Sequence, residues 1–471
     1  MSQLMRSMRV YWSLSLPERR RVLIAGDAVL AVCAALLALW LWAFTAPEPF
    51  SLAFVQARAL WLIVLPAAWL LLNLGSYNYQ RALGLAEAFR EMLGAASLAV
   101  LLYWALFFVA PPNTLPRLVI LYFILAATGL GLMWRLLYNR VFSSALFQRR
   151  LLVVGGGWAG REIIRALHEF QPEQYAVVGV IDDDPAKQRT HIGSTPVLGG
   201  HERLRPAIET LGISEIVLAI HDEIGGATFQ ALLDCRARGL PIVRMTSLYE
   251  QVTGRVPLDH LDPDWVIAAY MDQNRIRALY HAFKRGLDLL GSIIGLCGLA
   301  VLFPFIAAAI RLEGRGPIFY RQMRLGQAGK PFTIYKFRSM MPDAEREGAR
   351  WATRDDARVT RVGGLLRRMR LDEAPQLWNV LRGEMSLIGP RPERPEFIED
   401  LERQIPFYRA RLIVNPGLTG WAQVNYGYAS TVADAALKLQ WDLYYIKYRS
   451  VWLDLIILAR TLGVVLRLQG T

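Results

Sequence analysis

The stretch Arg367-Arg368-Met369-Arg370-Leu371-Asp372-Glu373-Ala374-Pro375-Gln376-Leu377 sets two adjacent carboxylates directly after a run of arginines, with a proline three residues past the first acid. Proline is tolerated in a helix only in its first turn, so a helix is expected to start at about Asp372. Leu377, Trp378 and Leu381 give that helix an apolar face, and Gly383 gives it a stop. A helix N-terminus carries unpaired N–H groups and partial positive charge, so it suits a phosphate. Two acids at such a place suggest a metal ligand or a nucleophile. The plain alternative is an N-cap aspartate followed by a first-turn glutamate.

Around this stretch lies a chain of 471 residues, enough for roughly two to four domains. Its hydrophobic fraction of 54% points to membrane segments. A net charge of +13 calls for anionic partners: nucleic acid, phosphorylated substrates or the anionic face of a bilayer. Cys33, Cys235 and Cys297 are far apart and the histidines show no ligand spacing, so neither a disulfide framework nor a zinc site is indicated. The first apolar run lacks a small-residue cleavage pattern and reads as an anchor rather than a signal peptide.

Four apolar runs, at 22–44, 54–74, 92–110 and 118–137, approach the length of about 20 residues that a membrane span takes. Arg6, Arg9 and Arg19 to Arg21 precede the first run, Arg81 and Arg90 fill the second connection, and Arg135, Arg140, Arg149 and Arg150 follow the fourth. The first connection has no basic residue and the third has only Arg117, so four spans with both ends in the cytoplasm fit the pattern. Asp27 reads as an interfacial residue near the basic end, with an intramembrane functional acid as the alternative. A fifth run, 286–310, has Lys284 and Arg285 before it and Arg311, Arg315, Arg321 and Arg324 after it. Both flanks therefore read as cytoplasmic. Gly291, Gly295, Gly298 and Pro304 offer places to bend, and a helix that enters the leaflet and returns is favoured over a straight span.

Residues 146–250 change to a βαβ pattern. Leu151-Leu152-Val153-Val154 reads as a buried strand and is followed by Gly155-Gly156-Gly157-Trp158-Ala159-Gly160 and a helical pattern. A second strand, Tyr175 to Ile181, ends in Asp182-Asp183-Asp184. This is a dinucleotide-type glycine loop in its proper context. Gly155, Gly157 and Gly160 either bind a regulatory nucleotide or only pack strand against helix; no Tyr-x-x-x-Lys pair follows to carry hydride chemistry. Residues 251–280 read as a linker.

Beyond the fifth run the chain is strongly basic up to Arg370, which by itself fits anionic headgroups. Tyr335-Lys336-Phe337-Arg338-Ser339-Met340 alternates aromatics and cations on an expected strand, sending Lys336 and Arg338 to one face where they can grip a diphosphate. Met385 to Pro392 reads as a short strand running into a rigid turn that presents Arg391 between Pro390 and Pro392. Asn415 to Trp421 reads as a tight turn leading into a strand. The stretch Val451 to Leu466, with Asp454 and Arg460 inside it, is a poor span and reads as an amphipathic helix.

From Lys284 to the C-terminus the chain resembles the bacterial sugar transferase family, the monotopic phosphoglycosyl transferases. The motifs that carry the likeness are Lys284-x-x-x-Asp288, Lys336-Phe337-Arg338-Ser339-Met340, Leu371-Asp372-Glu373-Ala374-Pro375-Gln376-Leu377, Gly389-Pro390-Arg391-Pro392 and Gly417-Leu418-Thr419-Gly420-Trp421. With the spans and the Rossmann-like region, the chain resembles the large polyprenyl-phosphate hexose-1-phosphate transferase branch, of the type that initiates exopolysaccharide synthesis. One departure is Phe303, which precedes Pro304 where the family often has a serine or another small residue.

The resemblance implies a membrane protein of mixed class: a four-helix transmembrane bundle (1–145), a Rossmann-like α/β middle domain (146–250) and, at 281–471, a re-entrant membrane helix with a small α/β, mostly α, catalytic domain. It implies a UDP-sugar donor, an undecaprenyl phosphate acceptor, Mg²⁺, and a catalytic domain on the cytoplasmic face of the bacterial inner membrane. A homodimer is compatible with it, and the hexose is left open. Asp372 is then the nucleophile and Glu373 the metal ligand; neighbouring helical residues do not face each other, so separate tasks suit them better than one shared proton. Arg367, Lys336 and Arg338 would offset phosphate charge, and Arg391 would serve the nucleotide or the lipid phosphate. Two other readings stand beside this one: a membrane-tethered nucleotide-sugar oxidoreductase or epimerase working from the glycine loop, and a non-enzymatic nucleotide-sensing scaffold of a polysaccharide assembly complex. A nucleic-acid binder is disfavoured, because the basic residues follow membrane segments and no binding module is recognisable.

Overall fold

The computed structural model describes residues 16–44, 50–73, 77, 85–109, 117–142, 148–172, 174–220, 223–258, 277–341, 356, 358–426 and 431–466. The chain divides into two compact units, Met1–Thr253 and Gly254–Thr471. In the first unit, helices occupy the expected apolar runs: α1 (Leu16–Ala43), α2 (Leu52–Gln56), α3 (Ala59–Leu72), α4 (Leu85–Val109) and α5 (Arg117–Phe142). Ala31, Ala34, Ala35 and Ala38 form a small-residue stripe on α1 that is fully buried in the helical cluster, as close helix packing in a bilayer requires. Val29, Leu121, Leu125 and Met133 are exposed, as lipid-facing side chains are.

One expectation for this region needs correction. The run 54–74 is not one span: the helix breaks at Ala57 and Arg58, whose guanidinium turns back to the Phe54 carbonyl (3.1 Å) and over its ring. That leaves α3 with 14 residues, about 21 Å at 1.5 Å per residue and short of the roughly 30 Å hydrocarbon core. Among the described residues, three helical stretches are long and apolar enough to cross a membrane: Glu18–Ala43, Leu118–Phe142 and Leu279–Glu313. Asp27 is buried against Arg135 of α5, with Arg135 Nη2 to Asp27 Oδ2 at 2.6 Å.

The middle region forms a sheet with strand order β3-β4-β2-β1-β5-β6. Its strands are β1 (Arg149–Val154), β2 (Tyr175–Ile181), β3 (His191–Ile192), β4 (Thr195–Gly199), β5 (Glu215–Leu218) and β6 (Ile242–Arg244), parallel except for the β3–β4 pair. Helices α6 (Trp158–Phe170), α7 (Leu204–Leu211), α8 (Gly226–Ala237) and α9 (Met245–Thr253) complete the wound α/β layers. Leu151 to Val154 are buried on both faces, which is why that strand reads as a continuous apolar run.

The second unit starts before the expected boundary at 281. Gly254 and Val256, read as linker, belong to its core: Trp421 Nε1 donates to the Gly254 carbonyl (3.0 Å), and Val256 is fully buried beside Leu439 and Leu443. Residues 259–276 of the expected linker lie outside the described residues. The dominant element is α10 (Arg277–Glu313), 37 residues long. A hairpin of β7 (Phe319–Leu325) and β8 (Pro331–Phe337) follows, then α11 (Arg361–Arg368), α12 (Leu377–Arg382), β9 (Ser386–Ile388), α13 (Pro395–Gln404), β10 (Gly417–Thr419), α14 (Trp421–Asn425), α15 (Val432–Tyr448) and α16 (Val451–Leu466). β10 pairs in parallel with β9, and the turn at Asn415 to Trp421 leads through β10 into a helix rather than into a longer strand.

Helix α10 runs unbroken through Gly298 and Pro304, so no chain reversal separates it into two elements. Asp288 accepts from Ser386 Oγ (3.0 Å) and the Leu387 amide (2.8 Å), and a Cβ on Gly291 or Gly295 would meet Leu387 or Leu377 at 2.6 Å. Asp288, Gly291 and Gly295 therefore line one face, and those two glycines serve close packing rather than a bend. Lys284 donates to Asp454 Oδ2 (3.3 Å) and Tyr445 Oη (3.0 Å), and Tyr280 also donates to Asp454 (2.9 Å). Asp454 is fully buried, so α16 packs into this polar knot. At the far end the Val362 amide donates to Glu313 (2.9 Å), and Phe303 stacks on Phe319. Leu290, Ile294, Val301 and Phe305 on the other face are 60–73% exposed.

Replacing Gly295 with leucine overpacks the contact with Leu377, a change that costs about 1–3 kcal/mol. Thermal unfolding in detergent is expected to show Gly295→Leu with a lowered Tm, and Gly286→Leu, where a Cβ meets nothing within 4 Å, with a smaller change. Equal shifts in the two variants would remove the packing role of Gly295.

Candidate active site

The acid pair comes from a turn rather than from a helix start. Thr360 caps α11 by accepting from the Gly363 amide (3.0 Å), and α11 ends at Arg368. Arg370 then takes a left-handed backbone, φ +58°, and reverses the chain. Leu371 returns to the apolar cluster of Ile306, Ile310, Phe337 and Leu366. A 3₁₀ turn over Ala374–Gln376 precedes α12, and neither acid caps it: the residue at the N-cap position is Glu373, and its side chain makes no capping bond. The alternative of an N-cap aspartate is thereby corrected: the helical region begins with the 3₁₀ turn at Ala374, and its N-cap position is Glu373.

Glu373 is instead gripped by cations from two other elements. Lys336 Nζ, from β8, donates to Oε1 at 2.7 Å. Arg391, from the turn after β9, donates to Oε1 at 2.5 Å and to Oε2 at 3.2 Å. The Phe337 amide donates to the Asp372 carbonyl (2.9 Å), which ties the turn to the end of β8. Asp372 is 7% exposed, yet its carboxylate enters no hydrogen bond among the described residues; Arg367, whose Nε donates to Ser339 Oγ (3.1 Å), contributes its charge from nearby.

The two carboxylates consequently differ. Burial, then the Glu373 charge, pushes the Asp372 carboxyl above its ordinary value, against the pull of Lys336, Arg367 and Arg391. Burial works on Glu373 too, but the Arg391 and Lys336 charges outweigh it and hold that carboxyl well below its ordinary value. One acid is firmly ionised and held by two cations; the carboxylate of its neighbour is unengaged among the described residues and more basic. That is the pattern of a structural anchor beside a nucleophile.

A hard cation fits here only together with phosphate oxygens. Glu373 Oε1 spends both lone pairs on Lys336 and Arg391, whereas Oε2 accepts once and keeps one free. Among the described residues the one group of three potential ligands is Asp183, His201 and Glu202 of the middle region, not this pair. Magnesium suits such a sparse protein shell, because it commonly binds through one or two carboxylates and completes its sphere with substrate phosphate and water.

The remaining expected site residues fall elsewhere. β8 ends at Phe337, and Arg338 turns away from the acid pair to donate to the carbonyls of Ile310 (2.9 Å), Gly314 (2.7 Å) and Arg315 (3.1 Å). It closes the C-terminus of α10 and is not brought together with the acid pair. Lys284 and Asp288 lock α10 to the unit, and Pro304 lies inside that helix. Pro390 and Pro392 shape the turn through their carbonyls, which accept from the Gly417 amide (2.8 Å) and Arg324 (3.2 Å). A buried pair absent from the sequence reading fixes the same turn: Arg411 donates to Asp442 (2.8 Å), Tyr408 Oη (2.7 Å) and the Arg391 carbonyl (3.1 Å). Nothing local in the sequence marks two residues 31 apart as partners.

In the middle region, Gly155 (φ +108°) and Gly160 are packing positions: a Cβ would lie 2.6 Å from the Ala219 carbonyl oxygen and 2.1 Å from that of Gly155, respectively. Gly157 has open space beside it. The Gly156 amide donates to Asp182 Oδ2 (2.6 Å), the first of the three aspartates that end the second strand.

A family model described as bacterial sugar transferase matches residues 279–468, and one described as CoA-binding domain matches residues 73–223. The uncharacterized sugar transferase EpsL of Bacillus subtilis (strain 168) is 38% identical over 191 residues, 40% of this chain and 89% of that protein. The chain belongs to the bacterial sugar transferase family. The UDP-N-acetylgalactosamine-undecaprenyl-phosphate N-acetylgalactosaminephosphotransferase of Aeromonas hydrophila is 41% identical over 250 residues, 52% of this chain. The undecaprenyl-phosphate glucose phosphotransferase of Komagataeibacter xylinus is 44% identical over 185 residues, 38% of this chain. The chain spans 57% and 35% of the lengths of these two relatives. Within this family, the transferase region contains the whole acid-pair site.

Lys336→Met leaves the buried Glu373 with Arg391 alone and is expected to cost about 1–3 kcal/mol of stability. Adding Glu373→Gln should recover part of that loss, because the buried charge is then gone. A double-mutant cycle by thermal unfolding checks this, and strict additivity would mean that the pair does not couple.

Proposed function

We propose that this protein transfers a hexose 1-phosphate from a UDP-sugar to undecaprenyl phosphate, releasing UMP and giving undecaprenyl-diphosphosugar. The observation that carries the reading is the unengaged, buried carboxylate of Asp372 beside a Glu373 already neutralised by Lys336 and Arg391. Relatives named for glucose and for N-acetylgalactosamine phosphate transfer to undecaprenyl phosphate support the substrate class. An Asp372 oxygen attacks the donor's β-phosphorus, and the bond from that phosphorus to the UMP oxygen breaks. The lipid phosphate then attacks the same phosphorus, the bond to Asp372 breaks, and the carboxylate is restored. Lys336, Arg367 and Arg391 offset phosphate charge in both steps. Glu373 would hold Mg²⁺ through Oε2, and the ion supplies charge neutralisation on the donor diphosphate when bound.

The proposed setting is an N-terminal helical bundle in the bacterial inner membrane with the transferase unit on the cytoplasmic face. Supporting a return to that face, both basic ends of α10 are held by one unit: Arg285 donates to the Val380 and Leu381 carbonyls (both 2.8 Å), and Glu313 accepts from Val362. Between them the outer face of α10 is apolar and exposed, as a leaflet requires. The middle glycine loop gives no support to the oxidoreductase alternative, since Asp182 accepts from the Gly156 and Asp184 amides.

Incubating membranes with a UDP-sugar labelled in sugar and β-phosphate, without lipid acceptor, should leave label on the protein and release UMP. Asp372→Asn should abolish both, and normal turnover in that variant would remove Asp372 from the nucleophile role. The same variant carries a second expectation. Because the folded state raises the Asp372 pKa, it binds that proton more tightly than the unfolded chain, and the ionised group weighs against the fold at neutral pH. Asp372→Asn is therefore expected to raise Tm at pH 7 while activity is lost, and a lowered Tm would contradict the electrostatic account.

A further inference from the structure

Close to the Arg391 turn is a cation that forms no ion pair among the described residues. Lys438 lies in the middle of α15, half-buried. One turn further on, Asp442 receives Arg411, which also donates to the Arg391 carbonyl. Residues four apart share a helix face, so Lys438 is on the side of α15 that meets the Arg391 turn. The charges that act on it are those of Glu393, Arg391, Arg411 and Asp442.

The two acids near Lys438 are already engaged. Asp442 pairs with Arg411 at 2.8 Å, and Glu393 lies 3.6 Å from Arg411 and 3.7 Å from Arg324. No hydrogen bond, and no ion pair within 4.0 Å, joins Lys438 to any described residue. A half-buried ammonium beside two guanidinium groups is unfavourable until an anion arrives. Burial pulls the Lys438 ammonium below its ordinary value, in keeping with a charge still lacking its counter-ion. Arg391, at 35% side-chain exposure, keeps a surface that an incoming oxyanion can reach.

We infer that Lys438 contacts a substrate phosphate oxyanion alongside Arg391, as a binding residue of the proposed transfer. The inference rests on the transferase reading. The shared chemistry is a phosphate oxygen, and its source is either the donor's diphosphate or the acceptor's monophosphate.

The test uses the full chain in detergent or nanodiscs with undecaprenyl phosphate and whichever of UDP-glucose and UDP-N-acetylgalactosamine the wild type turns over. Lys438→Met is expected to raise the KM for one of the two substrates about tenfold, the scale of one charge-assisted contact. Lys438→Arg retains the charge and should stay close to wild type. A rise for the UDP-sugar, with slower single-turnover UMP release in the absence of lipid, assigns the contact to the donor. A rise for undecaprenyl phosphate with unchanged UMP release assigns it to the acceptor. Both KM values unchanged in Lys438→Met, or equal losses in the Met and Arg variants, overturn the inference. A wild type that releases no UMP from any UDP-sugar overturns the transferase reading instead.

Discussion

A buried carboxylate that cannot be left unpaired organises the transferase unit. Removing one partner from a buried ion pair costs about 3–5 kcal/mol, so Glu373 obliges Lys336 and Arg391 to converge on it. Lys336 brings the end of the β7–β8 hairpin, and Arg391 brings the turn after β9. That turn is fixed from behind by Arg411, itself committed to Asp442 and Tyr408. The backbone bond from Phe337 to Asp372 closes the arrangement. Asp372 is thus positioned through its backbone and its neighbours' bonds, while its carboxylate enters no hydrogen bond among the described residues.

The same logic extends to the membrane helix. A helix with one bare apolar face needs a polar reason to stay seated on a small domain, and α10 has one at each end. Lys284 and Tyr280 reach the fully buried Asp454, Asp288 takes a serine hydroxyl and a backbone amide, and Glu313 takes the Val362 amide. Arg338 then satisfies the last carbonyls of the helix, which have no partners within it. The acid pair lies between these anchors, so its place relative to the lipid-facing surface is set by side-chain contacts rather than by loops.

What was legible beforehand follows from the range of each rule. Continuous apolar runs and period-two alternation located β1, β2 and β8, because those signals are local, whereas the short β3 and β4 gave no such signal. Placing Lys336 and Arg338 on one face used the alternation of a strand one residue beyond its end, and at Arg338 the unsatisfied carbonyls of α10 decide the side chain's direction instead. Gly291 and Gly295 looked like bending points because a glycine in a sequence does not reveal which neighbour occupies the space it leaves; here Leu387 and Leu377 do. The helix start at Asp372 followed from proline chemistry alone, which carries no information about the left-handed Arg370 before it. Arg411 and Asp442 were unreadable because their pairing depends on tertiary closure.

The unequal pair also bears on the order of the chemistry. An aspartate whose charge is disfavoured by burial and by Glu373 is relieved when it bonds to phosphorus, because the negative charge then sits on the phosphoryl oxygens rather than on the buried carboxylate. The raised basicity that aids attack makes the same carboxylate a poorer leaving group. On the proposed route this asymmetry favours a phosphosugar that persists on Asp372 until a second phosphate arrives. An enzyme that draws one substrate from water and the other from a bilayer needs such a wait, because the two do not diffuse in together. The cost is an ionised Asp372 that weighs against the fold whenever the site is free, and the surrounding cations limit that cost without cancelling it.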